Sequence, residues 1–284
     1  MTDGGVEEPR DGRAAQRAVT ERIEREEFER GHIQEGETPS RPRPAATIVL
    51  GRETGEPGFE VLLLKRPPTA RFAAGAYVFP GGKIDDADAD ETFGPRMPRT
   101  GRDAEPAAVL AALRELFEET GLLLADRRPG PDTETVLRSE LLADARTFVD
   151  VAREHDLSFT STRVCYFARW ITPTRFSRRY DTRFFLARLP ADRPDFVPDL
   201  TEEIADHTWV TPGEAVQLFR TGRLPMLFPT RVTLQALSEF NSIDAVFERY
   251  ATEAVEPVTP RLLIRGVSIR PVLPGDPEYD EADA

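Results

Sequence analysis

From residue 45 onward, short apolar runs alternate with clusters of turn-forming residues. Ala46-Thr47-Ile48-Val49-Leu50 and Glu60-Val61-Leu62-Leu63-Leu64 read as two strands, with Gly51 to Gly58 as the turn between them. Residues 163–171, 183–188 and 207–210 read as further strands, and 262–264 with 267–272 as a terminal hairpin. Apolar residues at helical spacing predict a helix over 106–120. Pro106 suits its first turn and Gly121 the position just past its end. One or two helices are expected over 135–155, then helices over 212–221 and 230–250. Strands and helices interleave, so the predicted core is a mixed α/β layered domain.

Before residue 45 the pattern differs. Residues 13–30 have helical spacing but few apolar side chains, and opposite charges stand four apart, as in Glu21/Arg25 and Glu26/Arg30. This stretch is either a solvated helix or one that docks through Val19, Ile23 and Phe28. Arg41-Pro42-Arg43-Pro44 reads as a linker. The expected organisation is a charged extension over 1–44, a main domain over 45–273 with an acidic insertion at 85–105, and an acidic, mobile tail over 274–284.

Composition narrows the function classes. The 284 residues hold 37 Lys+Arg and 50 Asp+Glu, a net charge of −13. Such a chain lacks the basic surface that nucleic acid or an anionic membrane requires. No run approaches the ~18 consecutive apolar residues of a membrane span. The charged first 30 residues do not read as a secretory signal. Cys165 is the only cysteine, which excludes an intramolecular disulfide framework and fits a reducing compartment. The expected location is cytoplasmic. Lys65 and Lys83 are the only lysines against 35 arginines, and arginine suits bidentate phosphate recognition. The charge is also unevenly spread: −3 over 1–44, −4 over 85–105 and −5 over 274–284, which leaves the remainder near neutral. A small phosphate-bearing substrate is therefore compatible with the overall acidity.

The most informative segment is Arg114-Glu115-Leu116-Phe117-Glu118-Glu119-Thr120-Gly121-Leu122. At about 100° per residue, Glu115, Glu118 and Glu119 share an arc of about 100°. Val109, Leu113, Leu116 and Phe117 fall on the opposite side. Three like charges so close destabilise a helix unless a cation compensates. Hard oxygen ligands without nearby His or Cys point to Mg²⁺ or Mn²⁺. Upstream, Val78-Phe79-Pro80-Gly81-Gly82 reads as a strand running into a tight loop whose backbone can approach a ligand closely.

Together these residues resemble the Nudix box, the metal-diphosphate signature of the Nudix hydrolases. Residues 114–122 fit its second half at every position, and Phe79-Pro80-Gly81-Gly82 fits the upstream part. The resemblance implies an α/β/α sandwich around a mixed β-sheet, here with helical N- and C-terminal extensions. By matching position, it implies Glu115, Glu118 and Glu119 as metal ligands and a carbonyl near Gly82 as a further ligand. It also implies that Glu115 is catalytic and that Arg114 orients the glutamates. The first half departs from the pattern, because the 85–105 insertion separates it from the helix. Pro106 stands where the first Glu of the box belongs, so Asp85, Asp88 and Glu105 compete for that role.

Within the family, three segments are similar to the coenzyme A and acyl-CoA diphosphatase branch. They are residues 62–72 running into 75–85, residues 170–173 with 179–186, and Leu273-Pro274-Gly275-Asp276. The resemblance implies hydrolysis of a small-molecule diphosphate, CoA or acyl-CoA, to 3′,5′-ADP and (acyl-)4′-phosphopantetheine. Glu203 is the expected general base, favoured over Glu202 by its spacing from Trp209. Arg66, Arg71 and Arg179 are candidate phosphate contacts. His32, His155 and His207 lack metal-ligand spacing, and Cys165, Trp170 and Trp209 read as packing residues. Two other functions compete: a Nudix diphosphatase for ADP-ribose, NADH or nucleotide sugars, and a non-catalytic binding module. The family also makes a homodimer an open expectation.

Overall fold

The computed structural model describes residues 25, 28–29, 31–33, 37–55, 58–98, 100, 104–160, 163–266 and 268–282. The predicted helix over 13–30 lies largely outside them. The mixed sheet begins with β1 (Arg43–Glu53), β2 (Phe59–Lys65), β3 (Tyr77–Val78) and β4 (Gly81–Lys83). It continues with β5 (Val164–Ile171), β6 (Tyr180–Arg188), β7 (Asp206–Val210) and β8 (Pro257–Val258). Its order is β3-β2-β1-β6-β5-β8, with β4 joined to β1 and β7 to β2. The β1–β6 and β5–β8 pairs are parallel and the rest antiparallel. β9 (Arg261–Arg265) and β10 (Ser268–Val272) form the separate hairpin that the terminal apolar runs predict.

Strand side chains alternate between two cores because the sheet is covered on both faces. Ile48, Leu50, Leu62 and Leu64 face one core together with α1 (Pro106–Thr120). The edges of α2 (Pro131–Leu142) and α3 (Phe148–Glu154) complete that layer. Val49, Val61 and Leu63 face the other, against α4 (Pro212–Arg220), α5 (Phe228–Leu237) and α6 (Ile243–Tyr250). This two-sided burial explains why the strands read as nearly continuous apolar runs. Each face carries one tryptophan. Trp209 packs on the α1 side and donates to the Phe196 carbonyl; Trp170 packs on the other and donates to Thr233 Oγ1 on α5.

Three expectations change. The stretch 230–250 is two helices, because the Ser242 hydroxyl caps α6 by accepting from the Ala245 N–H. The insertion is not a plain loop: 86–89 and 91–96 are short 3-10 helices, and Phe93 is buried against Phe159. The acidic tail is folded against the hairpin. Ala282 and Tyr279 pack on Leu263 and Val272, and Glu278 pairs with Arg265 and Arg270.

Candidate active site

The catalytic candidates converge at the C-terminal half of α1 and the strand that faces it. α1 starts at Pro106 and ends at Gly121, whose left-handed φ of 78° closes the helix as a cap glycine does. Its apolar residues 109, 113, 116 and 117 are buried against the sheet. That packing turns Glu115 and Glu119 toward β4, while Glu118 meets Arg114 one turn back. β4 is held on β1 by pairing Gly81 with Thr47 and Gly82 with Ala46. A Cβ on Gly82 would lie within 2.5 Å of the Glu115 Cδ, so only glycine leaves room for that carboxylate. The Gly81 N–H donates to Glu119 Oε2 at 3.1 Å.

Arg114 organises the cluster. Its buried guanidinium spends every face on a partner. Nε and Nη2 donate to the two oxygens of Asp88 at 3.1 and 3.0 Å, and Nη2 also donates to the Lys83 carbonyl at 2.8 Å. Nη1 donates to Glu115 Oε1 at 2.9 Å and Glu118 Oε2 at 3.1 Å. Burial alone would disfavour the charge on Arg114. The bonds to Asp88 and the charges of Glu115, Asp88 and Glu118 outweigh it and raise the pKa. Of the three acids competing for the first box position, Asp88 therefore pairs with Arg114, at 3% exposure, and Asp85 stands 3.4 Å off. Glu105 instead binds Arg183 at 2.7 Å.

The carboxylates are under electrostatic load. Burial pushes Glu115 up to about 7, and the charges of Glu118 and Asp85 add to it against the pull of Arg114. Burial likewise raises Glu118, again offset in part by Arg114. Glu119 lies well above the usual carboxylate range, through burial and then the charge of Glu115. Among the described residues, no three acid, histidine or cysteine side chains already stand in a closed metal-binding arrangement. Glu115 and Glu118 are drawn onto Arg114 instead. The donor set nonetheless fits a hard divalent cation: crowded carboxylate oxygens beside a glycine seat, with excess negative charge that a cation would relieve.

Arg66 enters from the end of β2. Its Nη1 is 3.5 Å from Glu203 Oε2, and its charge and that of Glu203 both act on Glu119. Arg66 Nε is buried without a hydrogen-bond partner among the described residues. That orphaned donor suits an incoming anion. Glu203 itself is largely exposed, and its N–H donates to Thr201 Oγ1. Arg71 sits exposed in the loop after Arg66, next to Phe72, which is 51% exposed. No described contact brings Arg179 to the acids. Its Nε donates to the Thr172 carbonyl and its Nη1 to the Ser40 carbonyl, so it ties the segment just before β1 to the β5–β6 turn. The sequence reading of Arg179 as a phosphate contact thus meets a side chain with a structural commitment. His32 stacks on Phe28, and Cys165 is buried with its thiol pushed up to about 12 by desolvation.

A sequence model of the NUDT19 Nudix domain matches residues 102–235. The human protein named acyl-coenzyme A diphosphatase NUDT19 is 30% identical, over 86% of this chain and 82% of its own length. This chain belongs to the Nudix hydrolase family. A putative nudix hydrolase 7 of Caenorhabditis elegans is 30% identical over 80% of the chain and 70% of its own. The crystal structure of a NUDIX hydrolase from Alicyclobacillus acidocaldarius superposes with a TM-score of 0.62 at 27% identity. It covers 76% of this chain and 99% of that one. The layered sheet and helices are thus the Nudix fold, and this Nudix hydrolase is an enzyme of the diphosphatase type. Nudix hydrolases generally use divalent metal ions.

Proposed function

We propose that this Nudix hydrolase cleaves the diphosphate linkage of CoA or acyl-CoA, giving 3′,5′-ADP and (acyl-)4′-phosphopantetheine. The observation that carries this reading is the likeness, over 86% and 84% of this chain, to relatives named acyl-coenzyme A diphosphatase, together with an intact cluster of Arg114, Glu115, Glu118 and Glu119. Glu115, Glu118, Glu119 and the Gly82 carbonyl would hold Mg²⁺ or Mn²⁺. When bound, the metal supplies charge neutralisation at the diphosphate and lowers the pKa of an attacking water.

The chain's own residues do the rest. Arg114 restrains Glu115 and Glu118 through a saturated guanidinium and so holds the two carboxylates beside each other, where they would serve as ligands. Arg66 offers its unpartnered Nε to a phosphate oxygen, which stabilises charge as it builds in the transition state. Arg71 is the second phosphate contact in the same loop. Glu203, exposed and beside Arg66, accepts the proton of the attacking water. The buried free thiol of Cys165 suits a reducing cytoplasm, and a homodimer belongs to the same reading.

The test is a substrate panel with purified protein and Mg²⁺ or Mn²⁺: CoA, acetyl-CoA, a long-chain acyl-CoA, ADP-ribose and NADH. The expected result is preferred turnover of CoA or its thioesters, with 3′,5′-ADP released. Equal or faster turnover of ADP-ribose would overturn the assignment.

A further inference from the structure

The C-terminal turn of α1 poses an electrostatic problem that the site residues do not solve. Glu118 and Glu119 sit in the last turn of the helix, where the unpaired carbonyls already carry partial negative charge. Anions are disfavoured there and cations favoured. The structure supplies a cation from outside the box. Arg138 on α2 is only 8% exposed. Its Nε donates to the Glu118 carbonyl at 3.0 Å, and its Nη1 donates to Asp199 Oδ2 at 3.0 Å. Its Nη2 donates to the Asp199 carbonyl at 3.2 Å.

Asp199 completes the arrangement. Its N–H donates to the Thr120 carbonyl at 3.1 Å, so two carbonyls of the last turn are taken by this pair. Gly121 makes the approach possible, since a Cβ there would lie 2.7 Å from Asp199 Oδ2 and 3.3 Å from Arg138 Nη1. Four residues after Asp199 the same loop carries Glu203. The loop is pinned again just beyond, where Ile204 is buried and the Ala205 N–H donates to the Lys65 carbonyl. Glu203 is thus held between an anchor on the end of α1 and an anchor on the end of β2.

We propose that Arg138 and Asp199 are positioning residues that lock the acid-bearing turn of α1 to the loop carrying Glu203. The pair sets the spacing between the metal-holding carboxylates and the proton acceptor. Neither side chain needs to touch substrate. The proposal rests on the functional reading above, because it assigns the spacing a role in that reaction.

The test compares Arg138→Ala, Arg138→Lys and Asp199→Ala with the wild-type chain, using whichever diphosphate the panel identifies. The readouts are kcat, KM, the pH profile of kcat, and the affinity for Mn²⁺ alone, measured by electron paramagnetic resonance without substrate. The expected result for Arg138→Ala is a kcat lowered roughly tenfold or more, with KM changed less than about threefold. Mn²⁺ affinity should fall several-fold. Arg138→Lys should recover Mn²⁺ affinity better than kcat, since an ammonium restores the charge but not the three-way fork. Asp199→Ala, at an exposed side chain, should lower kcat as Arg138→Ala does, with a pH profile displaced from wild type in both variants, and covers the case in which Arg138→Ala does not fold. Folded Arg138→Ala and Asp199→Ala proteins with wild-type kcat, pH profile and Mn²⁺ affinity would overturn the proposal. A wild-type chain that bound Mn²⁺ but cleaved no diphosphate would instead fail the functional reading, and the proposal with it.

Discussion

Gly81 and Gly82 are adjacent, yet their glycines answer different demands. At Gly81 an added Cβ meets backbone, 2.5 Å from the Ala46 carbonyl oxygen. At Gly82 it meets the Glu115 carboxylate. Gly81→Ala is therefore expected to cost fold stability by about 1–3 kcal/mol, read as a lower urea midpoint. Gly82→Ala should leave the midpoint closer to wild type but abolish most activity, because the side chain that yields is Glu115. Glu118→Gln preserves shape and removes one charge. It should lower turnover by orders of magnitude while the circular dichroism spectrum and melting profile stay native-like.

Glu115 also gives a pH dependence with a definite sign. Its folded-state pKa of about 7 lies above its ordinary value of 4.5, so between these values the folded metal-free protein binds more protons than the unfolded one. Stability then falls as pH rises through that window, by on the order of 3 kcal/mol. Melting in EDTA should show a lower midpoint at pH 8 than at pH 5.5. Added Mg²⁺ should raise it more at pH 8, since binding needs the carboxylate form. Cys165 supplies a separate check. Its thiol is buried and pushed up to about 12, so a thiol reagent at pH 8 should label it only in denaturant.

At the scale of elements, α1 is held at both ends and on its charged face. Glu105 precedes its first turn and binds Arg183, while Asp88 reaches in from the insertion to Arg114. The two acids differ in consequence. Asp88→Ala leaves a buried guanidinium edge unpaired and should cost about 3–5 kcal/mol in urea unfolding. Glu105→Ala should cost less, because Arg183 keeps Asp181 as a partner at 3.2 Å and the lost glutamate is half exposed.

These elements also show where sequence was readable. α1 announced itself through an N-terminal proline, a cap glycine and an apolar face opposite its acids, all local signals. β1 and β2 were visible because both sheet faces are buried. β3 reads as the strand that runs into Pro80-Gly81-Gly82, but β4 reads as part of a tight loop, since a strand of three residues exists only through its pairing with β1. The break between α5 and α6 had a local signal, Asn241-Ser242 before Ile243-Asp244, that the apolar spacing across 230–250 masks. The choice of Asp88 had none. It depends on a 3-10 turn that folds the insertion back 26 residues onto Arg114. Arg138 and Asp199 were equally illegible, because each acts through a backbone carbonyl and no side-chain spacing records that.

For the whole molecule, the net charge of −13 gives a poor picture of the local electrostatics. Part of the acid in the tail is folded onto hairpin arginines: Glu278 pairs with Arg265 and Arg270, and Glu281 with Arg265. Part of the acid in the insertion is spent on Arg114 and Arg153. At the end of α1, burial and then the charges of neighbouring acids raise the pKa values of Glu115, Glu118 and Glu119 despite the nearby Arg114 and Arg66. No helix among the described residues is long and apolar enough to cross a membrane.

The two tryptophans, one on each side of the sheet, turn this architecture into an optical instrument. Trp209 sits under the ring-facing guanidinium of Arg52 in the layer that holds α1, and Trp170 meets Phe228 edge-on in the opposite layer. A Trp170→Phe protein would emit only from the layer of α1, and a Trp209→Phe protein only from the layer of α4 to α6. Fluorescence of the pair, followed through the same denaturant titration, would reveal whether the two layers melt as one body or in sequence. Quenching by a bound ligand would identify the face it approaches.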